Sequence, residues 1–327
     1  MTILVTGGAG YIGSATVEAL RASGQSVVVV DHLSTGHRGA VAEDVPFYGV
    51  DLHQTEELTA LMRRHQVSAV VHFAAYSLVG ESTQNPAKYF QNNVGGSLSL
   101  LQAMIAAKVN RIVFSSTAAV YGEPQFVPIT EAHPTVPANP YGLTKRMVEQ
   151  ILEQYSAAHG MHYAALRYFN ACGAISARGE DHKPESHLIP LVLQVALGQR
   201  PHISVFGTDY PTADGTCVRD YIHIADLAQA HLQALSYLER TQKSIVCNLG
   251  NGKGFSVREV IECCRAVTQK PISVVESPRR AGDPSVLIAD ATRARQELGW
   301  EPRYKDLKTI VEHAWEWHRT HPQGYSE

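Results

Sequence analysis

The stretch from Met1 to Asp31 constrains this chain more than any other. Thr2–Thr6 is a short apolar run rich in β-branched residues, and it reads as a strand buried on both faces. Gly7, Gly10 and Gly13 follow at once. A glycine at the strand end lets the backbone turn sharply. One without Cβ at the helix start lets a pyrophosphate approach the free N–H groups and positive dipole end. Tyr11 and Ile12 open the helix, Ile12, Val17 and Leu20 share a face of it, and Gly24 can end it. Val27–Val30 form a second strand, with Asp31 and His32 at its carboxyl end. Asp31 lies 21 residues after Gly10, the spacing at which an acid accepts hydrogen bonds from an adenosine ribose. Three glycines alone could form a turn that binds nothing. Strand, loop, helix, strand and terminal acid together predict a dinucleotide site. The acid disfavours a 2′-phosphate, so NAD is expected over NADP, with Arg38 as the one nearby feature that would favour phosphate.

Composition narrows the rest. At 327 residues the chain can form one large domain or two sharing a cleft. A formal charge of −3 gives no electrostatic case for nucleic acid or an anionic membrane. No apolar run approaches ~20 residues, so no membrane span is expected. The amino terminus does not read as a signal peptide, because Gly7 and Gly8 interrupt its apolar run and no basic lead precedes it. Cys172, Cys217, Cys247, Cys263 and Cys264 are an odd, scattered set that suits neither a disulfide framework nor a zinc site. A reducing cytoplasm is the expected setting. None of the 16 histidines has metal-binding spacing on a helix, and no metal is expected.

Further along, Val67–Phe73 reads as a buried strand running into Ala74 and Ala75, small enough to let a ligand pass. Asp51 and Leu52 follow another strand-like segment, where Asp51 faces an adenine or caps the helix from Thr55. Asn85-Pro86 opens a long helix to Lys108, and Gly95 and Gly96 inside it predict close packing. Arg111–Ser116 is a strand. Five prolines between Glu123 and Pro140 mark a surface loop, after which Asn139 caps a helix with an apolar stripe from Leu143 to Tyr155. Met161–Tyr168 is a strand, Ile222–Arg240 an amphipathic helix, and Ile245–Leu249 a strand suited to rejoin the sheet. The expected fold is α/β, a doubly wound parallel Rossmann sheet with a smaller, discontinuous α/β domain. The nucleotide domain spans 1–169, with part of 221–250 returning to it. The second domain takes 170–220 and 251–327.

Tyr141 and Lys145 are four apart and share a helix face. An ammonium near a phenol lowers its pKa toward that of a usable base. A second copy, Tyr304 and Lys308 in the tail helix, lacks supporting chemistry around it. Tyr141 follows the strand ending in Ser115 and Ser116, with Thr117 beyond, at the strand ends where a nicotinamide belongs.

These elements resemble the extended short-chain dehydrogenase/reductases. His72–Ala75, Val79–Ser82, Asn92–Val94, Ser115–Thr117, Asn139–Gly142, Leu166–Asn170, Asp214–His223 and Arg279–Asp283 resemble, within that group, the UDP-glucose 4-epimerases. The resemblance implies inversion at sugar C4 through a transient 4-keto sugar and bound NAD. It implies that Tyr141 moves the 4-hydroxyl proton, Thr117 bonds the 4-oxygen, and Lys145 tunes the tyrosine and holds the nicotinamide ribose. It implies an NAD site of Gly7, Gly10, Tyr11, Ile12, Gly13, Asp31, His32, Asp51, Leu52, Phe73, Ala74, Ala75, Asn92, Ser115 and Tyr168 with the catalytic pair. The UDP-sugar side comprises Thr117, Tyr141, Asn170, His187, Leu188, Phe206, Arg219, Arg280, Asp283 and Leu287. Arg219 and Arg280 are the cations a diphosphate needs; surface or interdomain ion pairs are the alternative for both.

Three departures from the family pattern stand out. Ser77 replaces a lysine found in some members, and His187 replaces asparagine. Leu287 stands where a tyrosine excludes N-acetyl groups, so room for UDP-N-acetylhexosamines is expected. Ala118 and Ala119 occupy the places where a 4,6-dehydratase carries its acid and base. A glucuronate or pentose epimerase differs mainly in pocket contacts, and a non-catalytic NAD-binding sensor is the reading from another class. The resemblance also implies a homodimer through helices near 86–108 and 140–158.

Overall fold

Runs of β-branched residues with no polar face are satisfied only between two covering layers, and most of the first half of the chain builds such a structure. The computed structural model describes residues 1–175, 177–280 and 282–326; Ala281, within the Arg279–Asp283 run, lies outside them. Six strands come early: β1 (Thr2–Thr6), β2 (Ser26–Val30), β3 (Phe47–Tyr48), β4 (Ala69–His72), β5 (Arg111–Thr117) and β6 (His162–Tyr168). Ile245–Leu249 returns as the seventh, pairing in parallel with β6 as its sequence suggested. The order is Ile245–Leu249, β6, β5, β4, β1, β2, β3, all parallel. The chain grows from β1 to β2 and β3 on one side, then crosses to β4 on the other. That reversal opens a crevice at the carboxyl ends of β1 and β4.

Helices cover both faces. Tyr11–Ala22 and Ile224–Thr241 pack on one, where Val17, Leu20, Leu227, Ala230, Leu235 and Leu238 join the inner faces of β1 and β2. Leu58, Leu61, Leu100, Met104, Val148 and Leu152 cover the other. The expected long helix from Pro86 is interrupted: Pro86–Tyr89 and Gly96–Ala107 are α-helical, and Phe90–Gly95 between them is π-helical. The glycines there do pack closely. A Cβ on Gly95 would lie 3.2 Å from His53 Nε2, and one on Gly96 3.2 Å from Leu52 Cβ.

The remainder has its own core, built from Ile189, Val192, Leu193, Val205, Val260, Ile261, Ile310 and Val311 among others. Val218–His223 is the spine of a small sheet. It pairs with Asn170–Cys172 and Val286–Leu287 in parallel and with Gly254–Ser256 in antiparallel. The sequence pattern ran Ile222 into the following helix, but that helix starts at Ile224, because alternation and helical spacing agree over so short an apolar run. Tyr304 precedes the tail helix Leu307–Thr320, so Tyr304 and Lys308 do not share a helix face. All five cysteines are free thiols. Among the described residues, no helix is long and apolar enough to cross a membrane.

Candidate active site

The glycine turn comes first. Gly7 has φ +71°, and a Cβ there would lie 2.5 Å from Ala74 N, so the backbones after β1 and β4 meet at the crevice. A Cβ on Gly13 would come within 2.1 Å of Gly7 O, which lets the helix start press against the turn. The helix begins at Tyr11 after Gly10, with no side-chain cap and no acid in its first turn, leaving its N–H groups to an anion. Asp31 is buried at the end of β2. Its carboxylate accepts from Ala9 N at 2.9 Å and Leu33 N at 2.8 Å, which ties the glycine turn to the second strand. Tyr11 donates its hydroxyl to Gly173 O at 2.5 Å, and burial keeps that phenol well above its ordinary pKa, so it acts as a strut.

Asp51 does not cap the following helix, whose N-cap is Gln54. It accepts from His53 N and faces His53 Nδ1, both at 2.8 Å. Partial burial works the other way, but these bonds and the charges of His53 and His32 hold its pKa below the usual carboxylate value. Leu52 is buried, and Asn92 donates to Asn93 Oδ1 at 2.9 Å.

Strand register brings the catalytic candidates to the same edge. Thr6 lies opposite His72, Phe114 opposite His72, and Thr117 opposite Tyr168, so the residues following β1, β4, β5 and β6 form one row. Tyr141 joins from the first turn of the helix Pro140–His159, which Asn139 caps by accepting from Gly142 N at 2.9 Å. Its backbone is held twice: Tyr141 N donates to Ser82 Oγ at 3.2 Å, and Tyr141 O accepts from Thr144 Oγ1 at 2.7 Å. Asn93 donates in turn to Thr144 Oγ1 at 3.1 Å.

Burial pushes the Tyr141 phenol up to about 12, and the Thr117 hydroxyl pulls it back. Lys145 is buried and donates to Ser115 O at 2.9 Å, with its ammonium 5.0 Å from the Phe114 ring centre. Burial lowers its pKa to about 7, against the opposing charge of Glu149. The sequence argument put the ammonium beside the phenol; here the lysine's hydrogen bond goes to the backbone of β5. Ser115 Oγ hydrogen-bonds to Tyr168 OH, whose pKa burial also raises.

Next to this edge is a polar layer that is absent from the expected site. Glu149, buried, accepts from Ser116 Oγ at 2.6 Å and from Arg167 Nε and Nη2 at 2.8 and 2.6 Å. Arg167 also donates to Tyr121 OH, which donates to Asn248 Oδ1 at 2.6 Å. His72 bridges Thr6 Oγ1 at 2.7 Å and Ser97 Oγ at 2.8 Å, and burial, then the Lys145 charge, lowers its pKa to about 3. His231 is packed against Phe73, with ring centres 4.6 Å apart, and against Tyr168 at 6.1 Å. Spacing along one helix could have flagged Glu149 four residues after Lys145; the partners of His72 and His231 come from distant elements.

The residues expected on the sugar side form three groups. Asn170 donates to Asp220 O at 3.0 Å, and Arg219, paired in register with Leu287, makes an ion pair with Asp283. Leu287 packs against the turn Ala118–Tyr121 just beyond Thr117. Arg280 is exposed, with its guanidinium 3.9 Å from the Phe206 ring centre. His187 and Leu188 open the helix Leu188–Ala196, and His187 Nδ1 lies 2.6 Å from Glu180 Oε1. Ser77 is exposed.

Residues 3–250 match the model of the NAD dependent epimerase/dehydratase family. The chain belongs to that family. A UDP-glucose 4-epimerase of Halalkalibacterium halodurans is 55% identical, covering 100% of this chain and 98% of that protein. A solved UDP-glucose 4-epimerase superposes with TM-score 0.97 at 51% identity over 100% of both chains. The Brucella ovis enzyme, solved in complex with NAD, gives TM-score 0.94 at 44% identity, covering 96% of this chain and 97% of that one. The cofactor of this family member is NAD, and the uncapped helix start, the glycine cradle and the acid after β2 fit it.

Proposed function

We propose that the chain interconverts UDP-glucose and UDP-galactose by inverting sugar C4, with NAD held as a resident cofactor. The observation that carries this reading is the placement of Thr117, Tyr141 and Lys145 at the carboxyl edge of a dinucleotide-binding sheet, Thr117 ending β5, Tyr141 in the first turn of its helix and Lys145 on Ser115 O. The full-length likeness to UDP-glucose 4-epimerases supports it.

Gly7, Gly10, Tyr11, Ile12 and Gly13 would hold the NAD pyrophosphate, and Asp31 and His32 the adenosine ribose. Asp51 and Leu52 would face the adenine, and Phe73, Ala74, Ala75, Asn92, Ser115 and Tyr168 would line the path to the nicotinamide. When bound, NAD supplies a reversible hydride acceptor at the nicotinamide, and its positive charge favours the phenolate. Tyr141 takes the proton from the sugar 4-hydroxyl at its phenolic oxygen and returns one after inversion. Thr117 holds the 4-oxygen and shares that proton. Lys145 donates to Ser115 O, where its ammonium would lower the energy of charge at the strand edge and would hold the nicotinamide ribose.

On the other side Arg219 and Arg280 bind the diphosphate, and Asp283 exchanges its ion pair for a ribose hydroxyl. Asn170, Leu188 and Phe206 orient the sugar nucleotide, and His187 serves it through its backbone at the helix start, its ring being turned to Glu180 and Glu185. Leu287, against the Ala118–Tyr121 turn, sets the space at the sugar and leaves room for N-acetyl groups. We divide the chain into an NAD part, 1–169 with part of 221–250, and a UDP-sugar part, 170–220 and 251–327; the separate core around Val192, Val260 and Ile310 supports the division, although Ala291, Ala294, Leu298 and Trp300 pack into the core of the large sheet. Exposed Ile105 and Leu143 on the two long helices favour a homodimer through that face. Five free thiols favour a cytoplasmic setting.

The test is a substrate panel on purified protein: UDP-galactose, UDP-glucuronate and a UDP-pentose, with products separated by chromatography. UDP-galactose is expected to turn over fastest. Faster turnover of either of the others would reassign the substrate, and failure of all three with NAD supplied would remove the enzyme reading.

A further inference from the structure

Between Gly179 and the helix Leu188–Ala196 the chain makes a loop that the proposed reaction does not explain. Four of its side chains converge: Glu180, His182, Glu185 and His187 each offer one donor atom, and all four atoms lie within 4.8 Å of one another. His182 Nδ1 is 3.1 Å from Glu180 Oε1 and 3.8 Å from Glu185 Oε2. His187 Nδ1 is 2.6 Å from Glu180 Oε1 and 3.1 Å from Glu185 Oε1. We propose that these four residues form a binding site for a divalent transition metal of the zinc class, which clasps the loop in front of the helix that presents His187 and Leu188.

Charge makes the first argument. The carboxylates of Glu180 and Glu185 are 4% and 6% exposed, and among the described residues no lysine or arginine pairs with either. Two buried carboxylates facing the imidazoles of His182 and His187, with His318 nearby, need two positive charges. One dication supplies both while leaving the imidazoles neutral, the form in which histidine is a ligand. Geometry makes the second. A tetrahedron with bonds of ~2.1 Å has edges of ~3.4 Å; the histidine-to-carboxylate separations of 2.6 to 3.8 Å bracket that edge, and all four donor atoms lie within 4.8 Å of one another. Two histidines and two carboxylates form a donor set that zinc accepts.

Surroundings agree. Ser186 N and His187 N donate to Glu185 Oε1 at 2.7 and 2.8 Å, orienting that carboxylate as ligand-supporting bonds do. His182 stands edge-on to Tyr11, ring centres 6.1 Å apart, so the clasp also touches the residue that opens the nucleotide helix. A cavity of about 300 Å³ bordered by Glu180, His182, Glu185, Trp317 and His318 gives an ion a route in.

The experiment uses the full-length protein, stripped with EDTA and dialysed. Zn2+ is titrated in by calorimetry, bound metal is counted by elemental analysis, and Co2+ is added in parallel as a spectroscopic probe. The expected results are one Zn2+ per chain, the visible band of four-coordinate Co2+ without a thiolate charge-transfer band, and a higher melting temperature with Zn2+. Glu180→Gln and His182→Gln, each alone, should lose the stoichiometric site and the Zn2+-dependent rise in melting temperature. Absence of stoichiometric Zn2+ in the unaltered protein, retention of the site in both variants, or a thiolate band with Co2+ would overturn the proposal. The stoichiometry and Co2+ spectrum of the unaltered protein decide even if a variant fails to fold.

Discussion

The edge of the large sheet and the cluster around Arg219 differ in how they hold polarity. At the sheet edge each working residue is tied through main-chain atoms: Lys145 on Ser115 O, Tyr141 by its own N and O to the hydroxyls of Ser82 and Thr144, Asp31 on Ala9 N and Leu33 N. On the sugar side pairs between side chains dominate, with Arg219 on Asp283 as well as on Val218 O, and Arg280 over Phe206. A backbone-held group keeps its position whether or not a ligand is present. A mutually paired group must trade partners. The first arrangement suits repeated proton movement at one atom, and the second suits a substrate that enters and leaves.

Substitutions at the two places should therefore fail differently. The largest effect is expected from Tyr141→Phe, which removes the proton carrier and leaves its backbone anchors: kcat should fall by ~10²–10⁴-fold with NAD retained in the purified protein. Loss of NAD along with activity would mean that the phenol holds the fold of the site. Next is Glu149→Gln, which leaves the Arg167 guanidinium buried without its counter-charge; chemical denaturation should show a loss of about 3–5 kcal/mol. Arg219→Met should act through substrate, raising KM for UDP-galactose by roughly 10–100-fold for the loss of a charged hydrogen bond while kcat changes far less. A fall in kcat alone would make Arg219 part of the chemistry.

A smaller effect concerns pH. His72 and His231 are held neutral, with burial lowering their pKa values to about 3 and 4. Their folded values lie below the unfolded one, so their contribution is complete above about pH 6.5 and is lost as pH falls toward the folded values. Between those limits each costs roughly 1.4 kcal/mol per pH unit, and His72→Gln should flatten the acid slope of unfolding free energy. Leu287→Tyr should be the mildest, lowering turnover of UDP-N-acetylglucosamine relative to UDP-galactose with little change in stability.

The contrast also explains what could be read from the chain. β1, the glycine turn, β2 and Asp31 are contiguous, so one local pattern carries fold and cofactor together. Tyr141 and Lys145 were legible because their helix has its cap and stripe in sequence. Val218–His223 was not, since its identity as a strand comes from partners at Asn170–Cys172, Gly254–Ser256 and Val286–Leu287, each remote in sequence. The π-helical turn at Phe90–Gly95 was hidden for a related reason: its residues keep helical spacing, and the difference lies in backbone hydrogen bonding. The cluster at Glu180–His187 has no helical ligand spacing, because its donors converge from a loop.

The central claim is that Tyr141, at this sheet edge, serves a hydride exchange at sugar C4 with cofactor that stays on the protein. The most direct measurement is to give the purified protein UDP-galactose carrying deuterium at C4, in ordinary water with no NAD added, and follow the product by NMR. The account predicts UDP-glucose with the deuterium still at C4. No product even after NAD is supplied, or product that has exchanged its label for solvent hydrogen, would contradict it.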